Sequence, residues 1–385
     1  MSDLSLTDKE RGAFYREITR NMALDYFFVL DSAPLHFLYR DKVLPGELTD
    51  IEKRNKIVTE TVWTSAYHEY LICNVAYLFL YRGAVLQMPL QVHEVGTGIF
   101  AAPPEDDSRV YVSAEGVEAN FNAFMKDKGW RIIEKARQSD PRGSWQTVVS
   151  LPDRTMRIAS LIPSGNHAVV ELIVTWSEDG VLKQTAFAAV LIYDVDGTVL
   201  MDRSYIEMSA WPSGRRYSYE RSRAPQDRPQ TSGVMDEFYR YSKDHQLDIT
   251  LSRPEQRNLS IVEGAWLDTW NTSTGSGTEV FHPERFRTQL PLQKCSFNLD
   301  VSAAVLTLAK EAAPDSEMRI GQTYAKGNQV AVEGIVSWHR DGITRESPFL
   351  SILLLDEDGL IIRERRYMTR ENWPGADEVM TRLGL

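Results

Sequence analysis

Two histidines are the side chains best suited to proton transfer in this sequence. An unperturbed imidazole titrates near physiological pH, so either ring could serve as a general acid or base. His339 ends a β-branched run just before an Asp-Gly turn, and His93 lies in an early strand-like segment. Glu333 is six residues before His339, about 20 Å along an extended strand, so the two cannot form a hydrogen-bonded pair. The sequence predicts His339 or His93 as a catalytic histidine; the alternative for His339 is a turn-edge side chain in solvent.

Carboxylate, guanidinium and phenol groups recur at equal spacing in two parts of the chain. An Arg and a Tyr two positions apart on a strand project from one face, where they could bind an anionic or phenolic oxygen. The alternative is an ion pair between Glu and Arg on nearby strands, with the Tyr packed beside it. The catalytic candidates of this set are Glu171 and Glu333, and the substrate-binding candidates are Arg203, Tyr205, Arg365, Tyr367, Trp176 and Trp338.

The spacing reflects an internal repeat. Residues 152–212 align with residues 314–374 without a gap, at an offset of 162 positions, with 23 identities in 61 positions. Chance would give roughly 4 at an average residue frequency of about 6%. The sequence therefore predicts a tandem duplication in which each copy is a complete domain.

Each copy has the pattern of a three-stranded meander preceded by helices. The runs "HAVVELIVTW" and "QVAVEGIVSW" end at Asp-Gly turns, and "DVDG" or "DEDG" makes the next turn. A helix is expected from Asp300, capped by Asp300 or Ser302, and an opening helix from Leu259. Helices followed by an antiparallel meander indicate an α+β fold. We expect a helical extension without a counterpart in residues 1–60, a first domain in 61–215, a linker in 216–233 and a second domain in 234–385.

The second copy resembles a SnoaL-like domain of the nuclear transport factor two superfamily. The resemblance is carried by "APDSEMRI", "GNQVAVEGIVSWHRDG", "LLLDEDGLIIRERRYM" and the closing "RLGL". It covers roughly residues 235–385 well and 65–215 more loosely. It implies two cone-shaped domains, each a bent sheet wrapped around helices with an apolar pocket. Relatives include polyketide cyclases, dehydratases, isomerases and non-catalytic binding modules, so the fold alone does not settle the activity.

The chain departs from this family at the positions that matter for cyclase chemistry. Family cyclases place an acid/base aspartate on the penultimate strand, and the matching positions here are Ala189 and Ser351. Neither side chain exchanges a proton at neutral pH. The tryptophan common on the last strand is replaced by Arg203 and Arg365. A catalytic reaction in this chain would have to use another acid or base.

Composition excludes several function classes. The formal charge of −11 opposes binding to phosphate backbones, so no nucleic-acid partner is expected. Two cysteines and scattered histidines predict neither a disulfide framework nor a metal site, and no cofactor motif is present. The N-terminus has no signal-peptide pattern, and the best apolar run is too short to span a membrane. The expected location is the cytoplasm.

Two functions remain open at this point. The first is a cofactor-free acid/base enzyme that isomerises, dehydrates or cyclises a hydrophobic small molecule. The second is a non-catalytic tandem module that binds a ligand or partner. In either case we expect the two copies to pack as an internal pseudo-dimer, monomeric in solution, through the sheet face of Val330, Val332, Val336 and Trp338, because a lone copy would expose that apolar face.

Overall fold

The protein is α+β, with two six-stranded sheets and few helices. A computed structural model describes residues 35–60, 85–87, 98–99, 155–207, 234–272, 278–368 and 373–374, except residues 179, 196, 198 and 341. The predicted linker, His93 and most of the first 60 residues lie outside these ranges.

The N-terminal sheet has the strand order β2-β1-β6-β5-β4-β3. All its neighbouring strands are antiparallel except β1 and β6, which run parallel. A 3-10 helix at Leu35–Tyr39 and one described α-helix, α1, precede it. The bounds are α1 Asp50–Glu60, β1 Val85–Gln87, β2 Gly98–Ile99, β3 Thr155–Ser164, β4 His167–Glu178, β5 Val181–Tyr193 and β6 Val199–Tyr205.

The C-terminal sheet repeats this order as β8-β7-β12-β11-β10-β9, again with one parallel pair, β7 and β12. Its bounds are β7 Arg287–Leu290, β8 Cys295–Asn298, β9 Glu317–Lys326, β10 Gln329–Arg340, β11 Ile343–Leu355 and β12 Ile361–Tyr367. The helices are α2 Val234–Asp244, α3 Arg253–Ile261, α4 Leu267–Asn271 and α5 Leu299–Ala312, with a π turn at Val262–Trp266 between α3 and α4.

Local sequence signals account for the turns and helix ends. Gly180, Gly197, Gly342 and Gly359, the glycines of the predicted turns, all have positive φ. The predicted helix from Asp300 begins one residue earlier, and its cap is Asn298, whose Oδ1 accepts a hydrogen bond from the Val301 amide at 3.0 Å. Neither predicted cap residue fills that position, because Asn298 is the last residue with extended backbone before the helix.

The two sheets pack face to face, with helices on the two outer sides. An apolar cluster between the sheets contains Val169 and Val190 from one sheet and Ala331 and Ile352 from the other. A second cluster joins the N-terminal sheet to α1, and a third joins the C-terminal sheet to the helices around Trp266. We call the sheet surfaces under these helices the inner faces.

The expected pairing face was wrong. The side chains of Val330, Val332, Val336 and Trp338 lie on the inner face, packed against helices. The face that meets the other sheet carries Glu333. Both faces of β10 are buried. The more apolar face packs against the helices, and the face that carries Glu333 packs against the other sheet.

Helix α1 has a counterpart, contrary to the expectation for residues 1–60. Glu52 accepts a hydrogen bond from the Thr49 amide and another from the Gly165 amide, at 2.8 and 3.1 Å. At the start of α3, Glu255 accepts the same two bonds from the amides of Ser252 and Gly327, at 2.8 and 2.9 Å. Each helix is therefore fixed to the turn before the long strand of its own sheet by one carboxylate.

The segments before these helices cross to the opposite sheet. We call residues 35–49 the first arm and residues 234–249 the second arm. The first arm binds the C-terminal sheet, where the Leu44 amide donates to Asn328 Oδ1 at 2.8 Å. The second arm binds the N-terminal sheet, where the Leu247 amide donates to Asn166 Oδ1 at 3.0 Å. The two halves are thus joined by reciprocal contacts as well as by the chain.

Replacing Gly327 with alanine should destabilise the protein more than the same change at Gly180. Both residues have positive φ, so each substitution costs about 1–2 kcal/mol in the backbone alone. At Gly327 the new Cβ would lie 1.9 Å from the Leu44 carbonyl oxygen, whereas nothing lies within 4 Å at Gly180. Urea denaturation of both variants measures the difference in the free energy of unfolding. Equal decreases would show that the first arm does not pack tightly against the turn at Gly327.

Candidate functional site

The carboxylate of Glu333 joins the two sheets. Its Oε2 accepts hydrogen bonds from Arg203 Nη1 at 2.6 Å and from the Tyr324 hydroxyl at 2.8 Å, and its Oε1 accepts from the Tyr205 hydroxyl at 2.7 Å. The side chains of Arg203 and Glu333 are fully buried. Arg203 also donates to Ser242 Oγ on the second arm at 2.9 Å.

Glu171 makes the reciprocal contact at the other end of the interface. Arg365 Nε donates to both carboxylate oxygens, at 2.8 and 3.0 Å, and Arg365 Nη2 donates to Oε2 at 2.8 Å. The Tyr367 hydroxyl donates to Glu171 Oε1 at 2.9 Å and lies 2.8 Å from the Tyr39 hydroxyl of the first arm. Each Glu therefore pairs with the Arg and Tyr of the other sheet.

Each Glu–Arg pair keeps its buried arginine ionised. Burial alone would lower the pKa of Arg203, but Glu333 and the nearby tyrosines hold it above its usual range. The pKa of Arg365 is raised in the same way by Glu171. Burial, followed by the neighbouring carboxylate, raises the pKa of Tyr205 and Tyr367. Of the two sequence interpretations, the ion-pair geometry is the one present, and it spans two sheets rather than neighbouring strands. A catalytic role for these residues stays a prediction.

The other predicted site residues are dispersed. His339 is exposed, and its Nδ1 lies 2.7 Å from Asp315 Oδ2. The hydrogen bond from His339 lowers the pKa of Asp315. Trp176 and Trp338 are buried in the inner-face clusters of their own sheets. Among the described residues, the structure therefore does not bring His339 together with either Glu candidate.

The inner face of the C-terminal sheet carries a buried ion pair within its apolar cluster. Glu364 is paired with Arg366, and Ser351 joins both, donating to Glu364 Oε1 at 3.1 Å and accepting from Arg366 Nε at 3.1 Å. The guanidinium lies 3.8 Å from the centre of the Trp270 ring and 5.2 Å from that of Trp373. Burial lowers the pKa of Arg366, and Glu364 opposes this shift. A cavity of about 20 Å³ remains beside the two tryptophans, which is room for roughly one water.

The N-terminal inner face carries a smaller polar group at the matching positions. Asp202 and Ser204 stand opposite Leu191 and Ala189, as Glu364 and Arg366 stand opposite Leu353 and Ser351. The Ser204 hydroxyl donates to Asp202 Oδ1 at 2.6 Å, and both residues are buried. The matching position beside the carboxylate thus holds a hydroxyl here and a guanidinium in the other sheet.

A phenol lies near this carboxylate. The Tyr193 hydroxyl is 2.5 Å from Thr59 Oγ1 on α1. Burial raises the pKa of Tyr193, the bond to Thr59 opposes the shift, and the charge of Asp202 adds to it. The phenol is therefore neutral at physiological pH and can donate a hydrogen bond. A buried carboxylate with a neutral phenol on an apolar face can transfer a proton and stabilise an oxyanion.

Sequence reasoning missed Asp202 and Ser204 because it followed residues identical in both copies. The two copies differ at these positions, as Asp202 against Glu364 and Ser204 against Arg366. Strand alternation could have identified them. Asp202 and Ser204 alternate with Arg203 and Tyr205, which are identical in both copies, and therefore face the opposite side of the sheet.

An open groove lies along the edge strand β9. It has a volume of about 470 Å³, and its walls include Lys243, Glu263 and Leu267. None of the predicted site residues lines it. Within the described ranges, no group of three or more His, Cys, Asp or Glu side chains could hold a metal ion. No helix in that part of the chain is long and apolar enough to cross a membrane.

Comparison with known proteins returns structural likenesses only. No family model and no curated protein matches the sequence. The similar solved structures include one described as a SnoaL-like polyketide cyclase from Jannaschia sp. CCS1, at 18% identity and a TM-score of 0.27, covering 35% of this chain and 97% of that one. PrhC from Penicillium brasilianum matches at 14% identity and a TM-score of 0.29, over 34% and 90%. A structure described as a ketosteroid isomerase from Kribbella flavida matches at 14% and 0.26, over 30% and 79%.

Proposed function

We propose that the chain is an acid/base enzyme that acts, without a cofactor, on a hydrophobic small molecule by isomerisation, dehydration or cyclisation. The reaction site is the inner face of the N-terminal sheet, with Asp202 as the group that accepts and returns the proton. The supporting observation is a buried carboxylate, hydrogen-bonded at 2.6 Å to Ser204, on a face otherwise lined by Val170, Leu191 and other apolar side chains.

The neighbouring groups have separate roles in this proposal. Ser204 orients Asp202 by donating to Oδ1 at 2.6 Å, and the Asp202 carboxylate takes the proton from a substrate C–H. Without substrate the Tyr193 phenol donates to Thr59 Oγ1, because the Thr59 hydroxyl itself donates to the Asn55 carbonyl at 2.7 Å. With substrate bound, the phenol turns to the oxygen that becomes negative when the proton leaves, which lowers the energy of the oxyanion. A carboxylate base combined with a phenol donor is a known solution for proton abstraction beside a carbonyl.

A second candidate is a non-catalytic tandem binding module. It is favoured by the C-terminal inner face, where Glu364, the carboxylate at the position of Asp202, is paired with Arg366 and bonded to Ser351, which disfavours its use as a base. If both halves serve only to bind, Asp202 should orient a ligand without exchanging protons with it.

Deuterium uptake separates the two functions without knowledge of the natural substrate. The probe is 2-tetralone, a bicyclic ketone with acidic protons beside its carbonyl group. The full chain in D₂O should speed exchange of these protons above the buffer rate, as measured by NMR. Binding of the ketone, seen as a thermal shift, without faster exchange would support the binding module instead.

We further propose that the two halves arose by duplication and form an internal pseudo-dimer. The support is the reciprocity of Glu333 with Arg203 and of Glu171 with Arg365. The linker at 216–233, the cytoplasmic location and the absence of a nucleic-acid partner stay predictions.

Residues 234–385 expressed alone should form a dimer, while the full chain stays a monomer. The isolated half carries both Glu333 and Arg365, so two copies could pair these groups across a two-fold axis and bury the same face. Light scattering at several concentrations measures both masses. A folded, monomeric half, with its helices and strands confirmed by circular dichroism, would contradict the pseudo-dimer.

A further inference from the structure

His167 is a fully buried histidine at the Arg203–Glu333 end of the interface. It is the first residue of β4 and has no exposed surface. Neither ring nitrogen has a hydrogen-bond partner of acceptable geometry, and the ring centre lies 5.3 Å from that of Tyr324. A neutral imidazole always has one N–H, so this donor is buried at a cost.

The surroundings of His167 disfavour a second positive charge. Arg203 on β6 carries the charge that most opposes protonation, and His245, which directly follows α2, opposes it more weakly. Ser242, on α2, favours protonation through its backbone. The nearby carboxylate, Glu333 on β10, already accepts from a guanidinium and two phenols. An imidazolium formed here would add a second positive charge near the buried guanidinium of Arg203, whose carboxylate partner Glu333 is already engaged by three donors.

The other end of the interface has no ionisable group at this position. The residue that matches His167 in the repeat is Gln329, whose Nε2 donates to Ser160 Oγ at 3.0 Å. The Arg365–Glu171 contact therefore has a glutamine, Gln329, where the Arg203–Glu333 contact has His167. Acid should act on the two ends differently.

We propose that His167 makes the interface acid-sensitive: its protonation opens the contact at Arg203 and Glu333 while the contact at Arg365 and Glu171 stays closed. The moving parts are the second arm, which carries Ser242, and the side chain of Arg203. Protonation of His167 changes how the two sheets pack against each other and leaves the fold of each sheet intact.

The direction of the pH effect follows from linkage. Burial, followed by the charge of Arg203, lowers the pKa of His167 to about 3 in the closed interface. An exposed imidazole has a pKa of about 6.5. Between these values the open form binds a proton that the closed form does not, so the closed form is fully favoured above pH 6.5 and loses ground as the pH falls. The opening constant should rise about tenfold per pH unit in this window.

Hydrogen exchange of the full chain, with fragments resolved by mass spectrometry, tests the proposal at pH 6.5 and 4.5. After correction for the intrinsic pH dependence of exchange, the opening constant of α2 should rise by about 50-fold, while β6 and β12 should change by less than tenfold. His167→Phe should remove most of this difference, since it fills a similar volume without a titratable group.

Two outcomes would overturn the proposal. One is an equal rise in α2, β6 and β12, which would be global acid unfolding. The other is an unchanged pH response in the His167→Phe chain. If this variant does not fold, His167→Gln, which copies the residue of the other end, replaces it, and the comparison of segments in the unaltered protein still decides.

Discussion

Replacing Glu333 with alanine is expected to lower the free energy of unfolding by about 3–5 kcal/mol. The substitution leaves the guanidinium of Arg203 buried without the carboxylate that accepts from it at 2.6 Å. It also removes the acceptor shared by the hydroxyls of Tyr205 and Tyr324. A buried charge that loses its counter-charge costs far more than the net worth of the pair. Urea denaturation at pH 7.5 measures the change.

Two controls separate this effect from a general cost of removing a carboxylate. Glu178→Ala breaks a half-buried pair with Lys183 on the β4–β5 hairpin and should cost no more than about 1 kcal/mol. The double variant Arg203→Met with Glu333→Leu removes both charges and should recover much of the loss. If Glu333→Ala costs no more than Glu178→Ala, the pair does not hold the sheets together.

Replacing Asp202 with asparagine should slow deuterium uptake by 2-tetralone by about 10²- to 10⁴-fold. Asparagine keeps the shape of the side chain and can still accept from Ser204, but it cannot take a proton at neutral pH. The loss should therefore be in the rate at saturating ketone, with little change in the concentration that gives half the maximal rate. NMR measures both quantities, and circular dichroism confirms that the variant is folded.

Glu364→Gln is the matched control for Asp202→Asn. Glu364 occupies the equivalent position of the C-terminal sheet, but it is held by Arg366 and Ser351. Its replacement should affect stability rather than exchange. Full activity of Asp202→Asn, or an equal loss in Glu364→Gln, would remove Asp202 from the proposed mechanism.

The turns and the strand meanders could be predicted from sequence because their causes are local. A positive φ at Gly180 or Gly359 needs only the glycine and its neighbours. The choice between the two faces of β10 has no local cause. Alternation separates Val332 from Glu333, but both faces are buried, and which one meets helices depends on elements far away in the chain.

The site residues show the same division. Glu333 and Arg203 are 130 positions apart, and Arg365 and Glu171 are 194 apart. Their repeated spacing marked them as a set, but spacing within one strand cannot reveal a partner in another sheet. Strand alternation alone assigns Asp202 to the inner face. It was missed because the matching residue in the second copy is Glu364, and only identical positions were considered.

The first arm cannot make its contacts until the ribosome has synthesised the C-terminal sheet. The Leu44 amide binds Asn328, 284 positions later. At about 5–20 residues per second, synthesis of that interval takes roughly 14–57 s. Leu35 and Leu38, which are buried in the finished interface, have no C-terminal sheet to cover them during that time. The first arm is therefore made first and docked last, so a chaperone that shields apolar segments would act on this protein at its beginning rather than its end.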